Sequence, residues 1–355
     1  MTTGEEIFNR VLIIKPSSLG DVVTAIPLLR ALRRKCPGAH ISWLIAKSCV
    51  DMIAHDSDLS ETILFDRKLL GPWWRSPAAA GELKKLLATL RNGKFDLVID
   101  MQGLLRSGIF TAFTGSPVRA GFADARECAS IFYNHAIRPR SLHTIDRNIE
   151  LARSLGIDAS PADLTLQIQP AASQCVDNLL SQQGLEKKKF IVCVPSTRWL
   201  SKVYPQRHWK TVVAELAKQM PVVLLGSPGD AELCETIKNS AIGNLKSQSI
   251  VNFAGKTSVS QMVAVIAAGG GVVCSDSAAK FIAPAVGVNV VCLIGPTKVN
   301  MTGPYIPRKE LKAIPIVANV PCHGCLKRRC LHTSCMELIN PQEAVDAAKK
   351  IFSFF

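Results

Sequence analysis

Short runs rich in Val and Ile recur along this 355-residue chain, each followed by a longer amphipathic stretch. The runs at residues 11–15, 41–45, 95–100, 190–194, 222–226, 271–274 and 288–294 are apolar on both faces and bounded by Gly, Pro or Ser. That is the pattern of strands covered on both sides. Between them, residues 22–35, 82–91, 209–219 and 259–268 place apolar side chains at helical spacing. Strand then helix, repeated, predicts parallel sheets with helices on both faces. A single barrel of such repeats is the rival architecture.

The length suits two domains rather than one, and a short internal echo favours two sheets. Residues 11–15 run into Pro16-Ser17-Ser18, and residues 190–194 run into Pro195-Ser196-Thr197. A polar stretch rich in Ala, Ser and Gln, residues 160–183, is expected to separate domains 1–170 and 171–355. The expected class is therefore α/β, with two Rossmann-like, doubly wound domains facing a central cleft, the architecture of one large class of sugar transferases. Neither half contains G-x-G-x-x-G, which disfavours a nicotinamide dehydrogenase, and no G-x-x-x-x-G-K-[ST] supports a P-loop ATPase.

Forty-two Lys and Arg against 28 Asp and Glu give a net charge of +14, which calls for an anionic partner. Residues 1–170 hold 21 basic and 17 acidic side chains, and residues 171–355 hold 21 and 11. An anionic ligand therefore belongs more naturally to the second half. Aromatic residues make up 6 % of the chain and no nucleic-acid reading motif is present, which argues against a nucleic-acid partner. With 48 % hydrophobic and 20 % charged residues, a largely disordered chain is excluded. No basic-then-apolar leader opens the chain, and no apolar run reaches about 18 residues. A cytoplasmic protein with its twelve cysteines as reduced thiols is expected.

Ligands of open α/β sheets bind outside the carboxyl ends of the strands. The first strand delivers Ser17, Ser18, Gly20 and Asp21 there. Gly20 permits a close turn, and Asp21 either complements a helix N-terminus or accepts a proton from a hydroxyl. In the second half Ser196 and Thr197, with Arg198 and Lys202 beyond, combine hydroxyls and cations suited to a diphosphate. Asp276-Ser277-Ala278 opens a further strand-to-helix turn, and Gly295-Pro296-Thr297 ends the next strand. Asp56-Ser57-Asp58 follows a helix rather than a strand and reads as a turn and cap rather than a metal-binding pair.

On these residues the chain resembles the glycosyltransferase family 9 heptosyltransferases, which build the inner core of bacterial lipopolysaccharide. The resemblance rests on residues 11–21 (VLIIKPSSLGD), 96–103 (DLVIDMQG), 125–127 (ARE) with 132–134 (FYN), 202–205 (KVYP) and 295–297 (GPT), in order along nearly the whole chain. It implies a GT-B fold, an ADP-heptose donor on the C-terminal domain, and inverting, metal-independent transfer with no cofactor. Asp21 falls at the position of the general base and Lys202 at that of the phosphate-contacting lysine. Ser196, Thr197, Asp276, Ser277, Ala278, Gly295 and Thr297 would hold the donor. Ser17, Ser18, Gly20, Arg106 and Arg126 would meet an acidic, lipid-linked oligosaccharide acceptor at the inner membrane surface. The final helix would cross back toward the first domain.

Two departures stand out. The family pattern carries Gly at the position of Ala278 and His at that of Phe281, which leaves room for a different nucleotide sugar or for a catalytically weakened relative. Near the end, Cys322, Cys325, Cys330 and Cys335 surround Lys327-Arg328-Arg329. These thiols are open to a structural zinc, a redox disulfide or no partner at all.

Overall fold

The computed structural model describes residues 8–66, 75–243 and 249–352. The chain divides into two compact units, Met1–Leu164 and Thr165–Phe355. The expected boundary at 170 falls instead on the first residue of a helix.

The first unit holds strands β1 (Arg10–Ile14), β2 (His40–Ala46), β3 (Glu61–Phe65), β4 (Leu97–Asp100), β5 (Val118–Phe122) and β6 (His135–Ile137). Its helices are α1 (Leu19–Lys35), α2 (Pro77–Asn92), α3 (Leu105–Thr114) and α4 (Thr144–Ser154). The strand order is β3-β2-β1-β4-β5-β6, all parallel. Ile14 pairs with Leu44 on one side and with Asp100 on the other. The order reverses between β1 and β4, and the crevice outside their carboxyl ends is where such a sheet receives a ligand. Leu12, Ile14, Leu44 and Val98 pack with Leu86, Leu90 and Phe110 in the core. Each such side chain taken from water is worth about 1.5–3 kcal/mol.

The second unit repeats the plan. Its helices are α5 (Pro170–Gln182), α6 (Gln206–Ala217), α7 (Ala231–Ile242), α8 (Val259–Ala268), α9 (Ala279–Ala285), α10 (Val299–Thr302), α11 (Ser334–Glu337) and α12 (Pro341–Ile351). Its strands β7 (Ile191–Val194), β8 (Val222–Leu224), β9 (Ile250–Asn252), β10 (Gly271–Ser275), β11 (Val290–Ile294) and β12 (Ala313–Val317) lie in the order β12-β11-β10-β7-β8-β9. All are parallel, and the order reverses between β7 and β10. Read from β9, the sequence of strands matches that of the first sheet. The barrel alternative is thereby excluded: these are two open, doubly wound sheets, the GT-B class of α/β fold.

Within the polar stretch at 160–183, α5 starts on Pro170 and buries Ala172, Val176 and Leu180 at four-residue spacing. The final helix α12 packs on α6 and on β10, β11 and β12. Gly271 makes room there: a Cβ on it would stand 2.4 Å from the Phe352 ring. Among the described residues no helix is long and apolar enough to cross a membrane.

Candidate active site

In the first unit the chain leaves β1 and turns at Ser17 and Ser18 into α1, with Gly20 buried beneath the turn. The Ser18 N–H and hydroxyl both donate to Asp21 Oδ2, at 2.8 and 2.7 Å. Asp21 thus closes the first turn of its helix as a capping box does, and the same bonds fix the plane of a half-exposed carboxylate at the β1/β4 crevice. Helix and chemistry readings of Asp21 therefore do not compete. Thr24 Oγ1 donates to the Asp21 carbonyl at 2.8 Å, and the buried Asn148 amide on α4 donates to the Thr24 carbonyl at 2.8 Å. The turn is held from behind.

Beside it, β4 ends on the fully buried Asp100, which accepts from the Gln102 and Gly103 N–H groups at 2.8 and 3.1 Å and from the Tyr133 hydroxyl at 2.6 Å. Burial pushes the Asp100 carboxyl above its ordinary range despite these bonds, and burial next to Asp100 pushes the Tyr133 phenol up as well. Gln102 Oε1 is shielded from water and has no hydrogen-bond partner. The Gly103 carbonyl accepts from the Arg126 N–H at 3.0 Å, tying the loop after β5 to the loop after β4. Arg106 and Arg126 both have exposed side chains, and the Arg106 guanidinium lies 5.8 Å from the centre of the Phe65 ring. The Asp56-Ser57-Asp58 turn is an ion-pair node: Arg30 meets Asp56 at 2.5 Å and Asp58 at 2.6 Å.

The second unit concentrates charge at its own β7/β10 crevice. Asp276, just past β10, has a wholly buried side chain. Its Oδ2 meets Lys202 Nζ at 2.9 Å and accepts from the Thr297 hydroxyl, while its Oδ1 pairs with Lys280. Burial alone would raise the Asp276 carboxyl, but the Lys280 and Lys202 charges outweigh it and hold the group below its ordinary value. Burial lowers Lys202 from its ordinary value, with the Asp276 charge opposing. Thr197 Oγ1 donates to the Asp276 carbonyl at 3.2 Å, and Ser275 Oγ to the Pro195 carbonyl at 2.7 Å, so the loops after β7 and β10 are stitched together. Ser196 is half-buried beside them. Ser277 Oγ is shielded from water without a hydrogen-bond partner. Ala278 takes φ −61° and ψ −29°, angles that any residue adopts, so no glycine is needed there for conformational reasons.

Sequence reasoning missed Lys280. Only 4 % of it is exposed, and its Nζ sits 4.9 Å above the Phe281 ring. The signal was a single lysine inside the apolar run of residues 279–285, one helical turn after Asp276.

The cysteine-rich segment lies over this cluster. Leu326 N–H donates to the Pro296 carbonyl at 2.8 Å, and Ser201 Oγ to the Lys327 carbonyl at 2.7 Å. Trp199 carries Lys202 Nζ at 4.3 Å and the Arg328 guanidinium at 5.1 Å from its ring centre. Gly295 has a packing reason: a Cβ on it would meet Met336 Sδ at 2.4 Å. Cys335 is buried in α11 while Cys322 and Cys325 are exposed, and among the described residues no group of three or more His, Cys, Asp or Glu is arranged to hold a metal ion.

Two open sheets of matching order, each ending in a polar loop cluster at its switch point, define the GT-B class of fold. The sequence model of "Glycosyltransferase family 9 (heptosyltransferase)" matches residues 83–335, and the chain belongs to that family. It is 27 % identical over 337 residues to lipopolysaccharide heptosyltransferase 1 of Pseudomonas aeruginosa, covering 91 % of this chain and 88 % of that one. Among solved structures, a family 9 glycosyltransferase from Veillonella parvula is similar with a TM-score of 0.79 at 20 % identity, over 98 % of both chains. The E. coli heptosyltransferase WaaC with ADP-2-deoxy-2-fluoro heptose is similar with a TM-score of 0.74 at 22 % identity, over 96 % of this chain and 99 % of that one.

Proposed function

We propose that this chain transfers heptose from ADP-heptose to a sugar hydroxyl of the lipopolysaccharide inner core, in one step and with inversion at the anomeric carbon. The observation that carries the reading is the buried cluster of Lys202, Asp276, Lys280 and Thr297 at the β7/β10 switch point. Two cations against one carboxylate leave a net positive charge where a nucleotide diphosphate would bind. The orphaned Ser277 hydroxyl and the half-buried Ser196 and Thr197 add donors beside it. The names of the related enzymes supply the sugar and the acceptor.

In this mechanism Asp21 accepts the proton of the acceptor hydroxyl as its oxygen bonds to the anomeric carbon. The bond to the diphosphate breaks in the same step, and its electron pair leaves on ADP. Lys202 and the neighbouring hydroxyls stabilise the charge gathering on the leaving group. Cationic side chains fill the role of a divalent ion, so chelation leaves the rate unchanged in this reading. Arg106 and Arg126 are the proposed partners of the acceptor's acidic groups. The enzyme works at the membrane face through its charge.

The test begins with thermal unfolding against ADP, UDP, GDP and CMP. Ligand at 100 times its dissociation constant adds about 2.7 kcal/mol. Stabilisation by ADP alone supports the donor, whereas UDP or GDP in its place overturns it and keeps the fold. Transfer from ADP-heptose should then fall about 10²–10⁴-fold in Asp21→Ala while ADP affinity holds. Full activity in that variant would sink the role of Asp21, and a retained anomeric configuration in the product would sink the one-step displacement.

A further inference from the structure

Asp276 can satisfy only one lysine if its charge is to be matched, yet it holds two. Lys280 takes Oδ1 from α9, one turn along the chain, and Lys202 takes Oδ2 from the loop after β7, sharing it with Thr297. The two lysines are not equivalent. Lys280 is buried in the core and its Nζ has the Phe281 ring beneath it, so it has nowhere else to go. Lys202 keeps 13 % of its side chain exposed and rides on the face of Trp199 at the mouth of the cluster, so it can turn outward.

We propose that Lys280 is a positioning residue that keeps Asp276 neutralised so that Lys202 is released to the diphosphate of the nucleotide. Without Lys280, the buried carboxylate would hold Lys202 as its sole counter-ion. A diphosphate would then have to break a matched buried pair and leave Asp276 charged and unpaired, an arrangement of high cost. With Lys280 in place, Asp276 stays paired while Lys202 moves to the incoming anion, and the surplus positive charge of the empty site is cancelled. Phe281 belongs to the same device, because its ring seats the Lys280 ammonium in a place that offers few other partners. The lysine and the aromatic next to it are thus read as a pair.

This inference rests on the nucleotide-diphosphate reading of the site, and the test separates the two. Affinities for ADP and for adenosine, which has no phosphate, are measured by calorimetry in the wild type, Lys280→Met, Lys202→Met, the double lysine variant and Lys280→Met with Asp276→Asn. Absence of ADP binding in the wild type defeats the nucleotide reading itself. Given ADP binding, Lys280→Met should weaken ADP at least tenfold and leave adenosine within twofold. It should cost nothing further in the Lys202→Met background, because it acts through Lys202. Adding Asp276→Asn to Lys280→Met should restore ADP affinity to within a few-fold of wild type, since Lys202 then has no carboxylate to serve. Additive losses, or no restoration by Asp276→Asn, would mean that Lys280 meets the phosphate directly or only supports the fold, and would overturn the proposal. Should Lys280→Met alone fail to fold, the Lys280→Met, Asp276→Asn protein decides: ADP binding near wild type supports the proposal, and loss as deep as in Lys202→Met rejects it.

Discussion

Asp276 gathers two lysines and a threonine hydroxyl on one buried carboxylate, and removing its charge isolates what that charge does. Asp276→Asn leaves Lys202 and Lys280 facing each other with no anion between them. Loss of one member of a buried ion pair costs about 3–5 kcal/mol, and a shift of the urea midpoint measures it. The pH dependence follows from the same carboxylate. Its folded value lies below the ordinary 3.8, so the unfolded chain takes up the proton first as pH falls. The stability Asp276 contributes is full above about pH 4 and is lost as pH falls through the folded value. Urea midpoints between pH 3 and 6 should decline in the wild type and decline less steeply in Asp276→Asn. Equal slopes would place the acid sensitivity elsewhere. Asp276 and Thr297 were legible in the sequence because each sits just past an apolar strand, and Lys202 because it opens the family-like stretch 202–205. Lys280 was not, because a lysine in an apolar run announces burial without naming its counter-ion.

Elements rather than single side chains decide where Asp21 points. Pro27 lies inside α1 and has no N–H for the Val23 carbonyl. One residue further, the Thr24 carbonyl takes the Asn148 amide from α4. Asn148→Leu keeps the volume near constant and removes the donor, which costs about 1–3 kcal/mol for a buried group left unsatisfied. Because Thr24 also carries the Asp21 carbonyl, the transfer rate should fall more than the ADP affinity does. Equal losses in both would show that Asn148 supports only the fold. At this scale the sequence was read well in the sheet centres and poorly at their margins. β3, β6, β9 and β12 are the four sheet edges, and all four escaped detection. Edge strands are short or mixed in polarity: β6 and β9 have three residues each, β3 opens on Glu61, and β12 carries Pro315. β5 was hidden by Arg119 and Gly121. An α/β sheet announces itself through its buried middle, which is also where the switch points lie, so the residues at the switch points were legible although the sheet borders were not.

At the scale of the molecule two kinds of positive charge differ in how they meet salt. The unit Met1–Leu164 has 21 basic against 17 acidic residues, and Thr165–Phe355 has 21 against 11. Most of this surplus is solvated, and its reach is set by screening, about 10 Å at 0.1 M salt and 3 Å at 1 M. Each Lys or Arg brought near an anionic lipid surface is worth about 1 kcal/mol at physiological ionic strength. The charge of the proposed nucleotide site is instead enclosed, since the Asp276 side chain is fully buried and that of Lys202 is 13 % exposed. Raising salt from about 50 to 500 mM, across the range where the screening length shrinks from above 10 Å toward 4 Å, should therefore act unequally. Cosedimentation with phosphatidylglycerol vesicles should be lost, while ADP affinity should weaken by only a few-fold. Vesicle binding that survives high salt would point to apolar insertion in place of charge. An ADP affinity that falls in parallel with vesicle binding would mean that solvated lysines and arginines, and not the buried cluster, hold the diphosphate.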